Sequence, residues 1–133
     1  MSSYTMTATV ERGFPETLEL VRGALAAEGF GIITEIDMSA TLKAKLDVEM
    51  PPQVILGACR PALAHQALLA DPSIATLLPC NVVVRSARTT STTVEAFDPA
   101  FLAGMVDSEE VRTVAADARE RLTRVLESLE KEN

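Results

Sequence analysis

The chain has 133 residues, with 12 Lys+Arg against 19 Asp+Glu and a formal net charge of −7. That length suits one domain spanning residues 1–133 and supports a real core. The acidic balance excludes a nucleic-acid binder, which needs a basic footprint to neutralise phosphates. A hydrophobic content of 47% excludes a disordered chain, and two cysteines are too few for a disulfide scaffold.

Residues 1–7 lack the basic and apolar regions of a signal peptide, and no apolar run approaches the ~18 residues of a membrane span. A cytoplasmic protein with reduced thiols, off the membrane, is expected.

Residues 4–11 alternate, with Tyr4, Met6, Ala8 and Val10 on one face and threonines on the other, which predicts a half-buried strand. Gly13-Phe14-Pro15 breaks it, and Pro15 suits a first helical turn. Leu18, Val21 and Leu25 recur at helical spacing, and Gly29 suits the helix C-terminus. Phe30–Asp37 reads as a second strand. A short helix is expected over 39–47, with Ser39 as its N-cap and Leu42 and Leu46 four apart.

Gln53–Cys59 is almost wholly apolar, the pattern of a buried strand. Pro61 opens a helix to about Ala70, and Asp71-Pro72 ends it. A single turn is expected over Ser73–Leu78. Strands follow at Cys80–Arg88 and Thr92–Phe97, joined through Thr89-Thr90-Ser91, which lacks the favoured Asn-Gly turn chemistry. One helical turn is expected over Pro99–Gly104.

The last element is an amphipathic C-terminal helix. Val111, Val114, Ala118, Leu122, Val125 and Leu129 step by three or four, and Ser108 can cap it. Asp117–Arg121, Glu120–Arg124 and Glu127–Lys131 are spaced as acid-before-base pairs on its outer face. Together these elements predict an α+β two-layer sandwich: a five-stranded mixed sheet with helices packed on one face. No GxGxxG or GxxxxGK[ST] is present to hold a nucleotide.

Two segments stand out, Leu56-Gly57-Ala58-Cys59-Arg60-Pro61 and Leu77-Leu78-Pro79-Cys80-Asn81-Val82. Each places a cysteine at a predicted strand end, where side chains are available to a ligand. A helix start beside Cys59 would favour its thiolate. The alternative is that both cysteines pack as small hydrophobes. Cys59, Cys80 and His65 are the candidate metal ligands, a set suited to Cu(I) or Zn rather than Mg. Glu35 and Asp37, two apart on one strand, share a face. They can share a proton or cation, with Lys43 and Lys45 near enough in sequence to neutralise them, or stand as an ordinary exposed face.

The order and spacing of these segments resembles the family catalogued as domain of unknown function 302, from about Phe14 to Pro99. The resemblance implies a small α+β domain, a homodimer and no established activity or cofactor. Carried over by position, it marks Glu35, Asp37, Lys45, Cys59, Pro61, His65, Pro79, Cys80 and Asn81. Two positions depart from the family pattern: Arg60, where Asn is favoured, and Asp47, where Gly is favoured. Three functions follow for testing. The first is a small-ligand or soft-metal binding module built on Cys59, Cys80, Asn81, Glu35, Asp37 and Lys45. The second is a thiol redox protein using Cys59 and Cys80. The third is a structural dimerisation protein.

Overall fold

The computed structural model describes residues 3–133. In chain order the elements are β1 (Thr5–Val10), α1 (Phe14–Ala27), β2 (Gly31–Asp37), α2 (Met38–Leu46), β3 (Gln53–Cys59) and α3 (Pro61–Ala70). A 3-10 helix (Pro72–Leu77), β4 (Cys80–Arg88), β5 (Ser91–Phe97), α4 (Ala100–Met105) and α5 (Glu109–Glu130) complete it. Tyr4 falls just outside β1 and is exposed.

The strands form one sheet in the order β1-β5-β4-β3-β2. The α+β class is as expected, but the sheet is not mixed: all four pairings are antiparallel. The reason lies in the connections. A helix between two strands suggests a crossover to a parallel neighbour. Here α2 and α3 are excursions at opposite ends of the sheet, and each returns the chain to an antiparallel partner. The one true crossover is through α1, which carries the chain from the β1 edge to the β2 edge.

Local chemistry accounts for most boundaries. Pro15 sits in the first turn of α1. At the other end, Phe30 N–H donates to the Leu25 carbonyl and Gly29 N–H to that of Ala26. That double closure requires a left-handed residue, and Gly29 has φ +84°. The cap of α2 is Asp37 rather than Ser39: the Asp37 carboxylate accepts from Ala40 N–H at 2.9 Å and from Ser39 Oγ at 2.8 Å. A carboxylate two residues upstream outcompetes the serine hydroxyl, so Ser39 is already inside the helix. Asp47 closes α2 at φ 54°, a conformation aspartate tolerates and glycine prefers. The β4–β5 turn is Thr89-Thr90, and a bulge between Ser86 and Arg88 absorbs the poor turn chemistry.

Alternation then builds the core. Ala8, Val10, Val54, Leu56, Val82, Val84, Val94 and Ala96 point to one face and pack beneath Val21 and Leu25 of α1. Leu122, Val125, Leu126 and Leu129 of α5 close the same cluster. The α5 stripe was legible because its period is unbroken over 22 residues. On its outer face Arg121 meets Asp117 at 2.6 Å and Arg124 reaches Glu120 at 3.9 Å. Both arginines also turn toward Glu28 at the end of α1. Among the described residues the expected Glu127–Lys131 pair does not form. A smaller second cluster, centred on Ala67, Ile74 and Val111, joins α3, the 3-10 helix and the start of α5. Among the described residues no helix is long and apolar enough to cross a membrane.

Gly57 is the tightest point of the sheet. A Cβ there would overlap Thr34 Oγ1 on β2 and stand 2.7 Å from Pro79 Cγ. Gly57→Ala is therefore expected to destabilise the fold by about 1–3 kcal/mol, the usual range for overpacking. Urea denaturation checks this; an unchanged midpoint would show that Thr34 and Pro79 yield freely.

Candidate functional site

The two patterned segments lie side by side. In the β3–β4 ladder Ala58 pairs with Cys80 and Gly57 with Asn81. Cys59 is the last residue of β3, opposite Gly31. The two cysteines are thus adjacent across the β3–β4 ladder but offset by one residue, so alternation puts Cys80 on the face of Ala58 and Cys59 on that of Gly57; both are free and half-buried. They border a cavity of about 40 Å³, which Leu63 and Ala64 of α3 and Ala115 and Ala118 of α5 close from the helical side. A space of that size holds ~3 waters or a ligand of a few heavy atoms. It lies at the seam between the two core clusters, where Phe30 and Ala58 of the first face Ala67 and Ile74 of the second.

Its chemistry is almost entirely apolar. Burial pushes the Cys80 thiol up to about 11, and the neighbouring Cys59 adds to the rise. Cys80 is therefore a neutral thiol at physiological pH. Among the charged side chains only Arg60 borders the cavity. Its Nε is buried and, among the described residues, has no hydrogen-bond partner. Gly29 allows the guanidinium to lie there: a Cβ at that position would stand 2.9 Å from Nε.

The remaining candidates go elsewhere. Asn81 is exposed, one residue past Cys80, and alternation sends it to the opposite face of the sheet. Glu35 and Asp37 do share a face, since they pair with Leu56 and Val54. They do not act together, because Glu35 binds Arg22 of α1 at 2.7 Å while Asp37 is occupied as the α2 cap. Hydrogen bonds from Ala40 N–H and Ser39 hold the Asp37 carboxyl below its usual range. Lys43 neutralises Asp47 and Glu49 instead of the strand pair, and Lys45 is exposed on α2. His65 is exposed on α3 and does not border the cavity. Among the described residues no three His, Cys, Asp or Glu side chains are grouped to hold a metal, so Cys59, Cys80 and His65 are not brought together as a ligand set.

Sequence reasoning found the two cysteines and missed the walls. Arg60 drew notice only as a departure from a pattern. The α5 contribution carried no local signal, because Ala115 and Ala118 look like ordinary core positions of an amphipathic helix. Their small size, opposite a half-buried strand end, is what leaves space.

In a Cys59→Ser protein, where Cys80 is the sole thiol, iodoacetamide should react slowly at neutral pH. The rate should keep climbing above pH 9, the unperturbed thiol value. The sign follows from burial, which disfavours the charged thiolate. A pH–rate curve that levels off at the free-cysteine value would contradict it.

No curated protein matches the chain. A solved structure does, that of an uncharacterized conserved protein DUF302 from Bacillus stearothermophilus. The likeness has a TM-score of 0.84 at 29% identity and covers 95% of this chain and 98% of that one. The family model described as "Domain of unknown function DUF302" matches residues 6–129. With nearly the whole chain inside that match, the protein belongs to the DUF302 family.

Proposed function

We propose that this protein is a small-ligand binding module whose site is the apolar cavity beneath Cys59 and Cys80. One observation carries the reading: space remains at the seam of two otherwise packed clusters, beside the adjoining ends of β3 and β4 that carry the two cysteines. Interiors are packed to crystal density, and voids larger than a water are few. Enclosure by apolar walls is the usual form of a small-molecule site. A soft metal is the weaker occupant, since among the described residues no third ligand joins the two thiols and burial keeps Cys80 protonated. The same protonation weakens the redox reading, because the thiolate is the reactive form.

The probe is isobutanol, followed in amide proton–nitrogen spectra of labelled protein. Saturable shifts are expected at Ala64, Ala115 and Ala118. Ala115→Val and Ala64→Val, which fill the space, should each abolish them. Non-saturating shifts, or saturable shifts that both variants retain, would overturn the reading.

A homodimer, which the family resemblance implies, is the second part of the proposal. The outer sheet face, turned away from α1 and α5, carries Ile36, Ile55 and Val83. The acid on that face, Glu95, is neutralised by Arg85 at 2.7 Å and accepts a hydrogen bond from the Thr5 hydroxyl. An apolar, locally neutral face suits a self-complementary contact with a second copy. Sedimentation equilibrium should give twice the chain mass, falling to one with Val83→Glu. A wild-type monomer would defeat this part alone.

A further inference from the structure

The charge pattern around the cavity is uneven. Among the described residues, seven of the nine arginines pair with a carboxylate, including Arg22, Arg85, Arg119 and Arg124. The two others are Arg88 and Arg60. Arg88 is exposed at the β4–β5 turn, where water solvates it. Arg60 is half-buried, and the chain around it has seven more acids than bases. An acid partner would have been easy to supply. Glu28 feels the charge of Arg60, but Arg124 already engages it at 2.9 and 3.1 Å. A buried N–H donor left without a partner gives up its hydration with nothing in return. Its neighbourhood is positive in a second way, since Arg60 is the N-cap of the ten-residue helix α3 and makes no side-chain cap there.

We infer that the ligand of this cavity is a short apolar carboxylate, its hydrocarbon end among Leu63, Ala64 and Ala115 and its carboxylate on the Arg60 guanidinium. The inference rests on the cavity being a binding site and adds the chemical class of the occupant. A guanidinium offers a planar fork that matches a carboxylate, and among the described residues its buried Nε has no partner. The cavity of about 40 Å³ restricts the apolar part to a few carbons. Nothing else on the walls opposes an anion: Arg60 is the one charged residue there, and the buried Cys80 thiol stays neutral. A monoanion suits such walls better than a doubly charged phosphate, whose burial would need a second cation.

The experiment compares butyrate with butyramide, its uncharged counterpart of nearly the same shape, by amide-shift titration of the wild-type protein. Butyrate is expected to bind at least about tenfold more tightly, the factor that one charge-assisted hydrogen bond contributes. In Arg60→Gln the preference should collapse toward one, and Arg60→Lys should retain part of it. Equal affinities in the wild type would overturn the carboxylate class while leaving the cavity reading intact. Binding of neither probe, together with no saturable isobutanol response, would overturn both. A preference that survives Arg60→Gln would remove Arg60 as its cause. The wild-type comparison decides the class even if a variant fails to fold.

Discussion

The close approach at Gly57 is the constraint on which the rest of the site depends. The absence of a side chain there lets Thr34 of β2 and Pro79 press against the same point of β3. Pro79 in turn delivers the chain directly into β4. The ladder can then run to the end of both strands, with Ala58 opposite Cys80. A larger residue at 57 would push Pro79 away and pull the start of β4 off the end of β3. The two thiols would separate, and the sheet would lose the row that forms the floor of the cavity. The glycine thus fixes chemistry two residues away from itself, through strand pairing alone.

A second constraint sits across the cavity at Gly29. Closure of α1 demands a left-handed residue, and the missing Cβ leaves a flat surface on which the Arg60 guanidinium lies. One residue therefore ends a helix and seats a cation. The α1 terminus is tied down further by Arg121 and Arg124, which reach Glu28 from α5. The walls of the cavity come from elements far apart in sequence, yet their positions are set by these few contacts at the α1–β2 corner.

Much of the fold was legible because its signals are local and periodic. The alternation of β1, the continuous apolar run of β3 and the helical stripe of α5 each survive translation into structure. Sheet direction was not legible, since a helix between two strands looks alike whether the chain crosses over or turns back. The site divided along the same line. Cys59 and Cys80 could be read, because each is marked by a glycine or proline at a strand end. Asn81 could not be separated from Cys80 by composition; only alternation in a known register sends it to the other face. Glu35 and Asp37 looked like a pair because spacing shows a shared face and hides the partners, Arg22 on α1 and the amide of Ala40.

Arg60 illustrates the deeper limit. In sequence it is one cation among twelve in an acidic chain, and the default expectation is a salt bridge. Its meaning comes from subtraction: the other half-buried or structured arginines have each found a carboxylate, and this one has not. Such an absence is a property of the whole arrangement, invisible to any window along the chain. It also reverses the weight of the acidic pair that the sequence put forward. Glu35 and Asp37 are satisfied and structural, while the unsatisfied charge at the cavity is positive. A site built on carboxylates would recruit a cation; a site built on Arg60 above apolar walls recruits an anion with a hydrocarbon tail. The fold therefore turns the chain's net negative charge into a background against which a single unpaired guanidinium can be selective.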